Sequence, residues 1–297
     1  EAEMRISTSY IQQQNIDSML KRQSELSQTQ MQVSTGKKIL HASDDPISAV
    51  QTLSLQRGVN LSEQYISNSE TAENKLSITE GILISVNDTL QRVRELAVQG
   101  LNDSYDVGSR QGIAEEIEQL NNILVNLAST TDSNGEYIFS GYQTDTAPFD
   151  GTFNYQGDNG QRHIRVGEGY SVPINEVGDI VFGDGATSIF QSIKDFAADL
   201  RLEPKGAAVV GGFLGSMDSA MDNANIAQVK IGTRMNAVDH QRAINESTKF
   251  SMETILSQVQ DLDYAKAITQ LNLQMTGLQA AQQSYAKVQN LSLFNYL

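Results

Sequence analysis

A long stretch without proline constrains the fold of this chain most strongly. No proline occurs between Pro46 and Pro148, and apolar residues recur within that stretch at the a and d positions of a heptad. These positions are Ala72, Leu76, Leu83, Val86, Leu90, Val93 and Ala97. Such spacing predicts a long amphipathic helix. We expect it to run from Pro46 to Gly100, because Asp44 and Asp45 can cap its first turn and proline fits the first helical position.

Two further segments have helical spacing. A second apolar seam follows the long helix, at Ile113, Ile117, Leu120, Leu124 and Leu127. Because the link between the two helices is short, they should pack antiparallel. In the C-terminal half, a helix should start near Thr187, loosen between Pro204 and Gly215, and restart at Ser216.

The middle of the chain has a different composition. Residues 133–185 hold 10 of the 22 glycines, and Asn134-Gly135 and Asp150-Gly151 are typical hairpin turns. Aromatic and β-branched residues alternate with polar ones, so Phe153 and Tyr155 should share one face of a strand, and Ile164 and Val166 should share a face of another. We interpret the aromatic residues as a small core; the alternative is a surface for another subunit. The chain should therefore be mainly α, a long antiparallel helical bundle formed by the N- and C-terminal halves, with a small antiparallel β domain in the middle.

The two ends resemble each other and differ from the middle. Both carry apolar stripes and are nearly neutral: residues 1–60 have 6 basic and 6 acidic residues, residues 263–297 have 2 and 1, and the net charge of −15 arises between them. Helices with uncharged flanks can pack against copies of themselves without repulsion. We predict subunit packing through Ile16, Met19, Leu26, Val33, Ile268, Leu271, Met275, Leu278, Tyr285 and Val288. The alternative is that the charge is uneven by chance and the ends are ordinary core helices.

The sequence contains no pattern typical of an enzyme. It has no cysteine, its three histidines (His41, His163 and His240) lie in different segments, and nucleophile, phosphate-loop and dinucleotide motifs are missing. Asp44 with Asp45 fits a helix boundary better than a metal site. We therefore predict no catalytic residue, no cofactor and no metal.

Nucleic acid and membranes are equally poor partners for this chain. An acidic chain with a pI near 4.6 does not suit nucleic acid. No apolar run reaches the about 20 residues that span a bilayer. The C-terminal stripe is a poor candidate for insertion at a membrane surface, because only Lys266 and Lys287 could anchor it. The start of the chain also lacks the apolar segment of a general secretory signal.

Several motifs together resemble the flagellin superfamily. Residues 33–46, Val-Ser-Thr-Gly-Lys-Lys-Ile-Leu-His-Ala-Ser-Asp-Asp-Pro, are similar to its N-terminal signature, and residues 262–265, Leu-Asp-Tyr-Ala, begin a matching C-terminal helix. Residues 134–149 and the closing residues 292–297 resemble the FlgL type of hook-associated proteins, as does the opening at residues 4–8. The motif positions are Ser34, Thr35, Gly36, Lys37, Ala42, Ser43, Asp44, Asp45 and Pro46.

This resemblance implies a structural subunit of the bacterial flagellum that joins hook to filament. It implies terminal helices at residues 4–42 and 263–297 that form an inner tube, a long bundle at 43–132 and 187–262, and an outer β-rich domain at 133–186. Implied partners are copies in a ring, a neighbouring hook-associated protein, flagellin, and an FlgN-type export chaperone on the C-terminal helix. Implied too are type III export without a cleaved signal peptide and an extracellular location at the hook-filament junction.

Two other functions remain open at this point. The chain could be a flagellin that builds the filament itself, or a secreted enzyme or toxin on a helical scaffold, which would need a polar pocket in the β unit. Because short helices with amide-broken seams are unstable alone, we also expect residues 4–40 and 265–297 to be disordered before assembly.

Overall fold

The computed structural model describes residues 2–102, 104–202 and 207–290, and side chains at residue 10 and in residues 13–102, 104–202 and 212–287. Helices dominate, with one hairpin in the middle, so the predicted fold class is confirmed. The helices are α1 (Ala2–Thr35), α2 (Pro46–Leu101), α3 (Val107–Ala128), α4 (Gly178–Phe182), α5 (Ile189–Leu200), α6 (Ala207–Gln260) and α7 (Tyr264–Asn290). The strands are β1 (His163–Gly167) and β2 (Tyr170–Pro173), and a 3₁₀ turn covers Gly185–Thr187.

The long proline-free helix is confirmed as α2. Pro46 is its first residue, and the carboxylate of Asp45 accepts hydrogen bonds from the backbone N–H of Ser48 at 3.1 Å and from the Ser48 hydroxyl at 2.6 Å. These bonds from Ser48 lower the pKa of Asp45. The cap therefore satisfies helix N–H groups that would otherwise have no partner.

Helix α3 follows after a short link and runs antiparallel to α2. Asp106 caps it by accepting from the backbone N–H of Ser109 at 3.1 Å. Arg92 of α2 pairs with Glu116 of α3 at 2.7 Å, and the seam residues Ile117 and Leu124 are fully buried. The antiparallel pairing predicted from the short link is confirmed.

In the C-terminal half, the start of α5 agrees with the sequence prediction and the start of α6 differs from it. Ser188 caps α5 by accepting from the backbone N–H of Gln191 at 3.2 Å, close to the predicted start. Helix α6, however, begins at Ala207 and not at Ser216. Phe213 stacks on Phe196 of α5 with ring centroids 4.1 Å apart. Packing thus keeps a glycine-containing segment helical against its low propensity.

The β unit is smaller than the sequence pattern suggests. β1 and β2 pair antiparallel, with Ile164 opposite Val172. The predicted strand at Phe153 and Tyr155 is wrong: Tyr155 makes one isolated bridge to Phe149, and Phe153 has a φ of 62°. A turn organised by the Asp150 side chain replaces the strand. The Asp150 carboxylate accepts hydrogen bonds from the backbone N–H groups of Thr152 and Asn154, which a strand would use for pairing.

The chain forms two compact units, residues 1–61 with 248–297 and residues 62–247. The hydrophobic core lies in the second. Within that unit α2 and α6 run antiparallel, joined by Asn87 to Gln228 at 3.2 Å and Arg94 to Asp218 at 3.1 Å. Four buried phenylalanines pack ring to ring between α4, α5 and the preceding loops, namely Phe139, Phe149, Phe182 and Phe190. This packing agrees with the interpretation of the aromatic residues as a small core.

Polar contacts fix the middle segment to the helices of the same unit. Lys75 of α2 pairs with Asp132 at 2.9 Å and with Glu136 at 3.1 Å, and Arg162 pairs with Glu136 at 2.7 Å. The Lys75 ammonium is the main cause that lowers the pKa of Glu136. The loop before β1 is thereby held against α2 by charge-assisted bonds.

Candidate assembly surface

The turn after α1 is built around Gly36. Its N–H donates to the carbonyl of Gln32 at 2.9 Å, and its φ of 69° lies in the left-handed region that favours glycine. A Cβ at this position would lie 2.8 Å from the hydroxyl of Tyr264, the first residue of α7. The Ser-Thr-Gly-Lys motif and the Leu-Asp-Tyr-Ala motif therefore lie against each other.

Backbone hydrogen bonds join the same two motifs. The N–H of Lys38 donates to the carbonyl of Gln260 at 2.8 Å, and the N–H of Leu262 donates to the carbonyl of Gly36 at 2.9 Å. Lys37 and Asp261 form an antiparallel bridge between them. Sequence reasoning missed this pairing, because main-chain bonds between residues more than 200 positions apart leave no local pattern.

The carboxylates of the motifs act within their own turns. Asp44 accepts from the N–H groups of Leu40 and His41, at 3.2 and 2.9 Å. Asp263 caps α7 by accepting from the N–H of Lys266 at 3.1 Å. Among the described residues no group of three potential metal-binding side chains occurs. Both carboxylates stabilise chain turns, and for Asp44 this agrees with the helix boundary expected from the sequence.

Helices α1 and α7 run antiparallel from this turn. Gly36 lies beside Tyr264 at one end, and farther along a Cβ on Gly277 would lie 3.1 Å from the guanidinium of Arg22. In the described part of this unit only three side chains are buried, and they are Thr29, Val59 and Ala267. Two amphipathic helices that bury so little apolar surface are poorly stabilised by each other.

The predicted packing residues all remain accessible where the structure describes them. Ile16, Ile268 and Met275 are exposed, with 37%, 47% and 42% of their surface accessible. The others are half-buried: Met19, Leu26, Val33, Leu271, Leu278 and Tyr285. The side chain of Val288 and the apolar tail at residues 291–297 lie outside the described residues.

Several exposed apolar residues of this unit were not predicted. On the terminal helices they include Leu20 and Leu273, at 59% and 69% exposure. Others lie at the start of α2, at Ile47, Val50 and Leu53. The heptad pattern missed them because they lie off the seam that it selects.

Around the ion pairs of Lys75, Asp132 and Arg162 the β unit offers little room for a substrate. A cavity of about 10 Å³ lies there, lined by Lys75, Asp132, Ile138 and Arg162 among others. This volume holds about one water molecule. No described helix is long and apolar enough to cross a membrane.

Comparison with known proteins places both ends of the chain in one family. The model of the bacterial flagellin N-terminal helical region matches residues 6–144, and that of the bacterial flagellin C-terminal helical region matches residues 214–297. Neither model covers residues 145–213, which include the hairpin and α5.

Individual relatives extend the likeness over the whole chain. Flagellar hook-associated protein 3 of Escherichia coli (strain K12) is 29% identical over 98% of this chain and 99% of its own. The flagellin of Bacillus subtilis (strain 168) is 25% identical over 86% of each chain. A solved structure from Vibrio parahaemolyticus, assigned as a flagellar hook-associated protein, is 26% identical with a TM-score of 0.70. It covers 73% of this chain and 100% of that chain.

Proposed function

This chain belongs to the flagellin superfamily as a hook-associated protein of the FlgL type, and we propose that it is the structural subunit that joins the hook of the bacterial flagellum to its filament. It is a structural component and not an enzyme. The hook-associated relative matches nearly all of both chains, whereas the flagellin relative leaves out part of each. This difference favours the junction subunit over a flagellin.

One observation supports the mechanism of assembly. Helices α1 and α7 pack antiparallel and are tied at the Gly36 and Tyr264 turn, yet almost every apolar side chain that the structure describes on them stays accessible. Burying such side chains is favourable by roughly 25 cal/mol per Å² of apolar surface. Assembly with further copies supplies that burial, and α1 with α7 becomes the inner tube of a ring.

The remaining parts take the places expected for the family. The bundle of residues 43–132 and 187–262 surrounds the inner tube, and residues 133–186 face outward. Copies of the chain form the ring, with a hook-associated neighbour on one side and flagellin on the other. The subunit leaves the cell through the flagellar type III apparatus without a cleaved signal peptide, with an FlgN-type chaperone on the helix from Ile268 to the C-terminus.

A strain that lacks this gene tests the function. We expect electron microscopy to show bare hooks, and filament protein to accumulate in the culture medium, because export continues while the adaptor is missing. Intact filaments on the hooks would contradict the proposal. A loss of filaments with no filament protein in the medium would identify the chain as the filament subunit.

Seeded assembly separates the same two functions in vitro. A flagellin added to filament seeds should grow long filaments, whereas this chain should add no more than one or two rings. Continuous growth would contradict the adaptor function.

A further inference from the structure

Two Asn-Gly pairs lie in the middle segment, and the fold holds their glycines very differently. Asn134-Gly135 follows α3, and Asn159-Gly160 precedes β1. Asn-Gly is chemically labile, because the backbone nitrogen of a glycine, which has no Cβ, can approach the side-chain amide of the preceding asparagine. Both asparagines are exposed, so exposure alone does not distinguish the two pairs.

Gly135 lies in an open turn. A Cβ built on it would meet no described atom within 4 Å beyond its chain neighbours, and its φ of 81° lies in the left-handed region. Its N–H donates to the carbonyl of Asp132 at 3.0 Å. Opening that bond frees the nitrogen, and the space around Gly135 leaves room for the rotation that brings it to the Asn134 side chain.

Gly160 is held from three sides. Its N–H donates to the carboxylate of Asp158 at 2.9 Å, and its carbonyl accepts from the buried amide of Asn175 at 3.1 Å. The ring of Tyr142 occupies the place where a Cβ would lie. That ring is itself fixed, because its hydroxyl donates to the carbonyl of Gln161 at 2.8 Å. The same rotation at this pair would have to displace packed atoms.

The reaction at an Asn-Gly pair uses only the chain and water. The Gly135 nitrogen gives its proton to a solvent base and bonds to Cγ of Asn134. The Cγ–Nδ2 bond breaks, and Nδ2 takes up a proton and leaves as ammonia. Water then opens the cyclic succinimide at either carbonyl. Opening at Cγ gives aspartate, whereas opening at the main-chain carbonyl gives isoaspartate, whose backbone runs through Cβ and Cγ.

We propose that Asn134 is a spontaneous modification site, where the folded chain converts asparagine to isoaspartate and thereby opens the turn of residues 132–136. The longer main chain misaligns the bond that closes this turn, from the N–H of Asp132 to the carbonyl of Glu136 at 2.9 Å. Glu136 pairs with Lys75 of α2 at 3.1 Å, so the modification also weakens that ion pair. The inference stands apart from the proposed function, because it concerns the folded chain alone.

Ageing of the purified full chain tests the reaction. The folded chain and the same chain in concentrated urea are incubated in mildly alkaline buffer. Mass spectrometry follows the peptides that contain each pair, and labelling by an isoaspartate methyltransferase identifies the isomer. In the folded chain we expect Asn134 to convert about tenfold faster than Asn159, because attack needs local opening, which packing makes rarer. In urea the two should convert at similar rates, since both precede glycine.

Two results of the ageing experiment would overturn the proposal. One is a rate at Asn159 that equals or exceeds the rate at Asn134 in the folded chain. The other is a folded chain in which Asn134 stays intact over many half-lives of its reaction in urea.

Two variants test the effect on the turn. Asn134→Gln keeps an amide but cyclises far more slowly, and Asn134→Asp adds the charge without lengthening the main chain. We expect the Asp132 amide to exchange several-fold faster in aged than in fresh wild-type chain. It should not change in aged Asn134→Gln or in fresh Asn134→Asp. Unchanged exchange in an aged chain that carries isoaspartate would overturn the proposed opening of the turn, as would equally fast exchange in fresh Asn134→Asp.

Discussion

Two constraints at position 36 favour glycine over any amino acid with a Cβ. The backbone of Gly36 has a φ of 69°, and the hydroxyl of Tyr264 occupies the space where a Cβ would lie. The left-handed conformation alone costs a residue with a Cβ about 1–2 kcal/mol. The close approach of the tyrosine adds to that cost.

The variant Gly36→Ala should therefore weaken the joint between α1 and α7. We expect faster exchange of the amides of Lys38 and Leu262 in assembled flagella, measured by mass spectrometry, and reduced motility. The double variant Gly36→Ala with Tyr264→Phe should recover part of the loss, because the hydroxyl is gone while the backbone strain remains. Wild-type exchange in Gly36→Ala would contradict the account.

A second residue-scale prediction concerns the carboxylate that organises its own turn. Asp150 accepts from the Thr152 hydroxyl at 2.7 Å and from the N–H groups of Thr152 and Asn154 at 2.8 and 3.0 Å. These bonds, the Thr152 hydroxyl first, lower the pKa of Asp150 to about 2 from its usual 3.8.

Because the folded pKa is depressed, the turn's stabilisation is present above the unfolded pKa and is lost as the pH falls through the folded value. A carboxyl-carbon NMR titration should show Asp150 titrating near pH 2. The amide signals of Thr152 and Asn154 should shift with the same midpoint, because both amides donate to this carboxylate. In Asp150→Asn these amide signals should no longer shift with pH. A midpoint at the usual value would show that the bonds do not favour the charged form.

At the scale of elements, periodicity predicts a helix well where packing and spacing agree, as along α2. It failed at the start of α6, where the glycines predict a loose segment. The stacking of Phe213 on Phe196 keeps that segment helical. Periodicity failed again at Phe153, because a side-chain turn competes with a strand for the same N–H groups. Both errors come from contacts outside the short window in which periodicity is read.

The stacked pair gives a test of the first of these contacts. Phe213→Ala should lower the free energy of unfolding by about 3–5 kcal/mol, because a buried aromatic ring leaves a cavity. Phe250→Ala, at 71% exposure, is the matched control and should change it by less than about 0.5 kcal/mol. Urea unfolding of the full chain followed by circular dichroism measures both, and equal effects would show that the stack does not stabilise α6.

At the scale of the molecule, stability is distributed very unevenly. Residues 62–247 contain nearly all of the described core, while the unit made by the two ends buries only Thr29, Val59 and Ala267 among its described side chains. The sequence indicated this asymmetry through the amide-broken apolar seams of its terminal helices. It could not indicate which backbone groups join the ends, since the bonds from Lys38 to Gln260 and from Leu262 to Gly36 depend on main-chain geometry.

Amide exchange in the free subunit tests whether the terminal helices become stably folded only on assembly. We expect residues 10–40 and 265–287 to exchange almost as fast as an unfolded chain, because too little apolar surface is buried there to offset the ordering entropy. The amides around Ile117 and Leu124, which are fully buried in α3, serve as the internal control and should be strongly protected. In assembled flagella the ends should become protected as neighbours cover them. Strong protection of both ends in the free subunit would mean that α1 and α7 are stable without neighbours, and the apolar faces would then need another explanation than assembly.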